Sequence, residues 1–558
     1  MWRGVLVVLC AGCSAGDKDG EATGSPDTPG PTDDTPTNNS DGLTDPTDSA
    51  PTPTETATDT ATRDTSTTAT ADTADTGSTT DTDDSGLVGP ACTAEVTQVS
   101  VSSPSIDTMV ELAVTLDTAA AAAAWCQSDL EPEQVFFSES TDIATDHTVR
   151  LAGLIAGHSY TCTVVPVCED PTLAVGTSAQ AAWNAGRPPN AVQRLTVTQN
   201  PKIPSAGYWT VAPTTISMFG GTAYVVIWGP EGRPRWWMAL PNGVGMWIEA
   251  RHHLEDDKLV WGGGMDPDGR MRVVDLWDGE TYAFAPQGWQ QDEFHHDGKR
   301  IDDGRLMSLE IRANQLGQNS WDGFGVRVVD PATDLVEVDI DSQTLVDAGD
   351  LPPGGGFNQD PWHANWMEYK ETKHGPRVYV SLCFDFSIVV IDATTGQLDY
   401  RFGRNEGWTL LDAQGAPLSE NVLPQCQHGV EIDGDRWLIY DNGQDRSYSS
   451  AQEWTVDPDT MTATLEWSWT EPGWHEEYLG DIDWLGDDHV LLTAAPLNGS
   501  AELIEVDKVS GDVVNRMVFD GGALTYRSER YDGCRFFDST LGCPATAERH
   551  EAIEALLP

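Results

Sequence analysis

Basic residues are scarce in this chain of 558 residues: 31 lysines and arginines face 89 aspartates and glutamates, and the formal net charge is −58. So acidic a chain is not expected to bind nucleic acid. Beyond the N-terminus, no stretch approaches the ~20 apolar residues of a membrane-spanning helix. Residues 14–90 contain no aromatic residue and are mostly Thr, Asp, Ser and Pro. Because such a segment cannot bury a core, we predict a disordered, extended linker there.

The first 13 residues have the features of a lipoprotein signal peptide. Arg3 precedes a short apolar run, and Ala11-Gly12-Cys13 places small residues before a cysteine. We therefore expect Cys13 to carry lipid. The protein would then be exported and anchored to the bacterial cell envelope, on the outer membrane and facing the periplasm or the surface. The lipid would be its only membrane contact.

Apart from Cys10 and Cys13, the chain has eight cysteines in two groups of four, which is typical of disulfides in an exported protein. Cys534 and Cys543 could close a terminal loop. Cys383 and Cys426 could cross-link two parts of the large domain. The members of the first group are Cys92, Cys126, Cys162 and Cys168.

A repeat dominates residues 188–530. Segments beginning at His296, His363 and His428 share one plan, in which a polar turn follows the histidine and precedes an apolar strand. A fainter copy begins at His253, and another has Asp481 in place of histidine. Strand-turn-strand hairpins follow each copy. Repeated short strands predict an all-β fold, here a β-propeller of about six blades.

Alternating strands over residues 91–187 predict a β-sandwich ahead of the propeller. The segment LAGLIAGHSYTCTV resembles a fibronectin type III or immunoglobulin-like domain, with Tyr160 in the place of its packed tyrosine. Residues 531–558 are expected to form a C-terminal tail with a disulfide. The alanine run at 119–124 has no explanation in the sequence.

Rotation of the blades about one axis would bring the repeated histidines together in a central funnel. His295 and His296 open one copy, His363-Ala364-Asn365 the next, and Gln427-His428 the third, which is followed by Asn442. This ordered set resembles the aryl-sulfate sulfotransferase family, which has HH, H-x-N, QH and D-N-G elements along a six-bladed propeller.

The resemblance implies transfer of a sulfuryl group from a phenolic sulfate ester to a phenol, without PAPS and without a cofactor or metal. The partners would be a small aromatic sulfate donor and a phenolic acceptor. By its QH match, His428 would be sulfated transiently; His363, His296 and Asn365 would be catalytic. His295, Gln427 and Asn442 would bind substrate. An imidazole suits this role because a neutral ring is a competent nucleophile.

One residue departs from the family pattern. Where the family carries an arginine after the H-x-N strand, this chain has Cys383. A cation for the sulfate would then be missing, unless one of four other arginines replaces it: Arg377, Arg401, Arg404 and Arg446. A disulfide between Cys383 and Cys426, which we expect to lie on neighbouring inner strands, could occupy the place instead.

The sequence leaves three other functions open. His296, His363 and His428 could bind a divalent metal, although no H-x-x-x-H spacing supports such a site. The hairpin VIDATTGQLDY resembles the repeat of quinone-dependent dehydrogenase propellers. An inactive or divergent propeller could serve as a tethered binding module, which the missing arginine favours.

Overall fold

A computed structural model describes residues 92–557 with several gaps, of which the longest are 216–221, 241–250, 263–270, 285–293, 355–359 and 535–542. The predicted signal peptide, Cys13 and linker lie outside the described residues, as does the side chain of His253. The fold is 56% strand and 6% helix, so the all-β prediction is confirmed. Within the described residues, no helix is both long and apolar enough to cross a membrane.

Six strands near the N-terminus form one connected sheet around its own core. The long second strand pairs with the third along one edge, and with the first and fourth in succession along the other. The assignment to the fibronectin type III class stays a prediction. The strands are β1 (Val96–Ser102), β2 (Val110–Ser128), β3 (Val135–Leu151), β4 (Ser159–Cys168), β5 (Ala174–Val175) and β6 (Ala179–Asn184).

The alanine run finds its reason in packing on both faces of β2. Ala122 and Ala124 point into the core of the sheet, whereas Ala123 faces a second cluster with Ile553. Ile553 belongs to helix α2 (Pro544–Glu554), which returns from the C-terminus to this sheet and adds an ion pair between Arg549 and Glu139. Small side chains let helix and strand approach closely.

Six further sheets of four or five strands follow within the described chain. In three of them, consecutive strands pair antiparallel from one edge to the other. The strands are β7 (Thr196–Gln199), β8 (Trp209–Thr214), β9 (Tyr224–Trp228), β10 (Pro234–Ala239), β11 (Arg251–Glu255), β12 (Lys258–Gly262), β13 (Met271–Asp275), β14 (Thr281–Phe284), β15 (Phe294–Arg300), β16 (Leu306–Leu316), β17 (Asn319–Asp330), β18 (Leu335–Asp341), β19 (Ala364–Thr372), β20 (Gly375–Leu382), β21 (Ser387–Asp392), β22 (Leu398–Gly403), β23 (Thr409–Asp412), β24 (Val430–Asp433), β25 (Arg436–Asp441), β26 (Ser450–Asp457), β27 (Thr462–Trp469), β28 (Asp481–Leu485), β29 (His489–Ala494), β30 (Glu502–Asp507), β31 (Val513–Val518) and β32 (Glu529–Tyr531). Helix α1 (Ser342–Ala348) follows β18 and is capped by Asp341.

Hydrophobic clusters join these sheets into a ring. Each sheet shares a buried cluster with the next, and the last sheet shares one with the first, where Trp228 packs with Leu503 and Met517. Two strands also close the ring: β7 pairs with β31 of the last sheet, and β32 pairs with β8 of the first. Such a ring leaves only short, protected sheet edges, as in a propeller.

The innermost strands face the centre of this ring. β11 contacts β15 and β32, β15 contacts β19, and β24 contacts β28. The repeated histidines precede or begin such strands. The architecture therefore brings residues that are far apart in the chain to one end of a central funnel.

Candidate active site

Local backbone strain marks the entry to two inner strands. His296 and His363 both have positive φ, at 36° and 48°, a conformation that side chains with a Cβ rarely adopt. Each lies at or beside an irregularity in strand pairing, between Phe294 and Gly298 in β15 and at Asn365 in β19. A bulge re-aims the side chains that follow it, so these histidines turn toward the funnel.

Three imidazoles lie together there. The Nε2 atoms of His296 and His363 are 3.2 Å apart, and their ring centroids are separated by 4.9 Å. His295 packs against both, with centroid distances of 4.0 Å to His296 and 5.3 Å to His363. The Nδ1 atom of His295 donates to the carbonyl of Ala364 at 2.6 Å.

A carboxylate holds His363. Its Nδ1 donates to Oδ2 of Asp360 at 2.6 Å, and its backbone N–H donates to Oδ1 at 2.8 Å. Burial alone would raise the pKa of Asp360, but the hydrogen bonds and charge of His363 outweigh it, and the pKa lies below its ordinary value. Asp360 therefore stabilises positive charge on the ring of His363.

An amide holds His428 instead. Its Nδ1 lies 2.8 Å from Oδ1 of Asn442 and 2.9 Å from the carbonyl of Cys426, and both oxygens can only accept. Nδ1 therefore carries the proton, and Nε2 of the neutral ring carries the lone pair. The Nδ2 atom of Asn442 donates to the carbonyls of Glu476 and Leu479, which fixes the orientation of the amide.

Burial keeps these rings neutral. It lowers the pKa of His428 to about 3, an effect that the charges of His363 and Arg527 reinforce and the hydrogen bond of Asn442 opposes. Burial and the neighbouring His363 lower the pKa of His295 to about 4. Burial, with His295 and His363, also lowers the pKa of His296 well below its ordinary value. Neutral imidazoles retain the lone pairs that nucleophiles and metal ligands need.

Asn365 and Gln427 join neighbouring sheets behind the histidines. The Nδ2 atom of Asn365 donates to the carbonyl of Gln427 at 2.9 Å. The side-chain amide of Gln427 donates to Ser381 at 3.1 Å and to the carbonyl of Ser387 at 2.7 Å. Both residues are buried, and these contacts position the chain next to His428. Their catalytic and substrate-binding roles stay predictions.

Tyr526 and Arg527 complete the site, although no sequence motif identified them. The ring of Tyr526 lies 5.9 Å from those of both His296 and His428. Arg527 donates to the carbonyl of Asn365 and to the hydroxyl of Tyr526, and lies 3.7 Å from Asp297. Both residues lead into β32, the strand that completes the first sheet. A search for a polar residue ahead of each inner strand would have found Arg527.

The four arginines considered from the sequence all pair with acidic residues. Arg377 pairs with Asp392 and Asp399, Arg401 with Asp385 and Glu406, Arg404 with Asp445, and Arg446 with Asp441. Among the described arginines, the charge of Arg527 is the one that acts on His295, His296 and His428.

The predicted disulfide between Cys383 and Cys426 is confirmed, with 3.7 Å between the Cα atoms. Its placement on two inner strands was wrong, because Cys383 follows β20, the second strand of its sheet. A sulfur atom of each cysteine lies within 4.8 Å of a ring nitrogen of His428. The cross-link thus fixes the backbone beside this histidine. Cys534–Cys543 is also confirmed, and the first group pairs as Cys92–Cys168 and Cys126–Cys162.

Solved structures show only weak similarity to this chain. Hydrazine synthase of Kuenenia stuttgartiensis matches at 15% identity and a TM-score of 0.25, over 42% of this chain and 53% of that one. The chain therefore spans about half the length of that protein. TolB from Acinetobacter baumannii matches at 10% identity and a TM-score of 0.31, over 67% and 79%. The Cps50 (Swd1) β-propeller domain of Myceliophteria thermophila matches at 14% and 0.28, over 59% and 89%.

No curated protein matches the chain. The family profile described as Arylsulfotransferase (ASST) does match, over residues 187–527, which is more than half of the sequence. This range includes the site residues predicted from the sequence, and it ends at Arg527. These residues are His295, His296, His363, Asn365, Gln427, His428 and Asn442. The resemblance inferred from the ordered motifs is confirmed: the chain belongs to the arylsulfotransferase family.

Proposed function

We propose that this protein transfers a sulfuryl group from a phenolic sulfate ester to a phenol through a sulfated His428. Family membership supports arylsulfotransferase activity, with an aryl sulfate as donor and a phenol as acceptor. The observation that carries the proposal is the fixed tautomer of His428. Its Nδ1 proton is held by Asn442 and Cys426, so the lone pair of Nε2 is available for attack.

In the first half-reaction, Nε2 of His428 attacks sulfur and forms an N–S bond while the bond from sulfur to the aryl oxygen breaks. The phenolate leaves with the electron pair and takes a proton from the imidazolium of His363. In the second half-reaction, an acceptor phenol returns that proton to His363. Its oxygen then attacks sulfur, and the N–S bond breaks to restore neutral His428.

Two further groups would support these steps. Asp360 stabilises the imidazolium of His363 before the proton leaves. Arg527 supplies positive charge near the sulfate oxygens, in the role that the family gives to the arginine replaced by Cys383. Preorganised charge of this kind is worth more in a buried site than in water.

An aromatic ring borders the proposed substrate position. Phe384 stacks on His363 with 5.1 Å between ring centroids and remains 40% exposed. Its free face could pack against the aryl group of the donor or acceptor. Offset packing of two aromatic rings contributes roughly 0.5–1.5 kcal/mol.

The test measures nitrophenolate release from 4-nitrophenyl sulfate with phenol as acceptor. Wild-type protein should show ping-pong kinetics and, with a ³⁵S-labelled donor and no acceptor, should retain label on His428. His428→Ala should lose both signals. His374→Ala is the matched control, because His374 is exposed in the turn after β19 and pairs with Asp459. Transfer by His428→Ala, or sequential kinetics, would contradict the covalent mechanism.

A catalytically inactive binding propeller is the second candidate. It is favoured by the disulfide at the position of the family arginine and by the pairing of Arg527 with Asp297. An inactive protein would bind 4-nitrophenyl sulfate in calorimetry yet release no nitrophenolate. Calorimetry and the nitrophenolate assay together therefore separate this function from sulfuryl transfer.

We also propose that the protein is lipid-anchored to the cell envelope through Cys13, with residues 14–90 as the tether. The small residues before Cys13 and the composition of the linker support this proposal. Cys13→Ser should move the protein from the membrane to the soluble fraction. A mutant that stays with the membrane would contradict lipidation.

A further inference from the structure

We propose that His295, His296 and His363 form a binding site for a divalent transition metal ion, with Zn²⁺ as the preferred occupant. One ring nitrogen from each of the three lies within 4.8 Å of the others. The site differs from the one considered from the sequence, since it includes His295 and omits His428. It goes beyond sulfuryl transfer, which requires no metal.

The distances suit a metal that binds imidazole nitrogen. Zn–N bonds of about 2.0–2.1 Å in a tetrahedral site place neighbouring ligand atoms about 3.3 Å apart. The Nε2 atoms of His296 and His363 are already 3.2 Å apart. Two nitrogens at this distance share either a proton or a cation. The nitrogen of His295 would need to approach by at most about 1.5 Å to complete a three-histidine set.

The surrounding hydrogen bonds orient two of the rings as in metal sites. Metal-binding histidines commonly donate their other ring N–H to a carboxylate or a backbone carbonyl. His363 donates Nδ1–H to Asp360, and His295 donates Nδ1–H to the carbonyl of Ala364. In both rings the lone pair therefore belongs to Nε2.

Local charge also favours a cation. The nearby Arg527 lies 3.7 Å from Asp297, which offsets its positive charge. Asp360 supplies a negative charge in contact with His363, and Asp322 lines a small cavity with Asp360 and His295. Three imidazoles with an adjoining carboxylate match the preference of Zn²⁺ and neighbouring ions for nitrogen ligands.

The site would leave room for a fourth ligand. Zinc bound by three protein ligands keeps an open position for water or an anion. A sulfate ester could occupy that position or be displaced from the funnel. Because His296 and His363 would take part both in metal binding and in sulfuryl transfer, we expect Zn²⁺ to inhibit transfer; this last expectation rests on the proposed function.

The test is calorimetric titration of untagged protein with ZnCl₂ in a non-chelating buffer, together with the visible spectrum after addition of Co²⁺. We expect one ion per chain with micromolar or tighter affinity and a tetrahedral Co²⁺ spectrum. Asp360→Asn should weaken binding about 10–100-fold, the usual cost of losing such a supporting group. His295→Ala should weaken it further, and His374→Ala should bind like wild type.

Two further variants separate loss of metal binding from loss of sulfuryl transfer and from poor folding. His428→Ala should lose transfer yet bind Zn²⁺ normally, so failure of sulfuryl transfer and failure of metal binding are distinguishable. His295→Gln, which preserves side-chain bulk, should also lose affinity if His295→Ala folds poorly. The inference is overturned if wild-type protein shows no saturable Zn²⁺ binding, or if both His295 variants bind as tightly as wild type.

Discussion

His428 and His363 are the same kind of side chain on neighbouring sheets, and each is held through Nδ1, but the groups that hold them differ. Asn442 and a backbone carbonyl hold His428, whereas the carboxylate of Asp360 holds His363. Neutral acceptors fix a tautomer without adding charge, and burial then keeps the ring neutral. A carboxylate favours positive charge on its ring. The comparison supports the proposal that His428 is the nucleophile and that His363 transfers the proton.

The largest expected effect tests this division directly. His428→Ala should lower transfer by about 10⁴-fold or more with every donor, because the proposed intermediate forms on that ring. His363→Ala should cost most with poor leaving groups and little with 4-nitrophenyl sulfate. The measurement is the rate for a series of aryl sulfates with graded phenol pKa. Equal losses across the series for His363→Ala would remove its role in proton transfer.

In the proposed mechanism, Arg527 stabilises the negative charge of the sulfuryl group, which is present in both half-reactions. Arg527→Met should reduce kcat by about 10²–10³, the typical effect of removing one donor to the transition state. Arg527→Lys should recover part of the loss because it keeps the charge. Arg404→Met is a matched control, since Arg404 pairs with Asp445. Wild-type turnover by Arg527→Met would show that another cation holds the sulfate.

Asp360→Asn makes the partner of His363 resemble that of His428. Without the carboxylate, positive charge on His363 loses its stabilisation, and we expect a reduction of up to about 10² in the rate with poor leaving groups. The effect should shrink as the leaving group improves. An equal loss with all donors would instead indicate a structural role for Asp360, which a fall in Tm would also reveal.

The disulfide beside His428 also reaches His363, since the backbone N–H of Cys383 donates to the carbonyl of His363 at 3.2 Å. Joint replacement Cys383→Ser and Cys426→Ser should lower the free energy of unfolding by about 2–4 kcal/mol, as expected for a loop of this length. The measurement is urea unfolding. The variant should also have a lower kcat, because the cross-link fixes the backbone at position 426, whose carbonyl orients His428. An unchanged free energy of unfolding would show that the cross-link does not stabilise the folded protein relative to the unfolded chain.

Acid should destabilise the protein through its buried neutral histidines. The pKa of His428 is about 3 in the folded protein, below its ordinary value, so the unfolded chain binds more protons between about pH 6.5 and 3. Stability therefore falls as the pH decreases through this window. His428→Gln should reduce the slope of unfolding free energy against pH, whereas His374→Ala should not. An unchanged slope would indicate that the ring of His428 titrates normally.

Much of the fold and part of the site could be predicted from sequence alone. Strand alternation and the repeated histidines indicated an all-β propeller. Rotational repetition then implied that His296, His363 and His428 converge, since equivalent positions of a ring face one axis. Ordered motifs were enough to identify the family. Cys383 stands where the family has an arginine and Cys426 lies two residues before His428, and these positions suggested their pairing.

Tertiary structure alone decided how those residues act. Arg527 and Tyr526 enter the site because β32 crosses to the first sheet, a pairing between segments about 300 residues apart that leaves no local pattern. Asp360 lies three residues before His363, yet only the bend at positive φ brings its carboxylate to Nδ1. The pKa of His428 depends on burial by surrounding sheets. The sequence determined that the repeated histidines meet, because the repeat is visible in the chain. The arrival of Arg527 and Tyr526, and the orientation, charge and proton position of the rings, depend on contacts that form only when the ring closes.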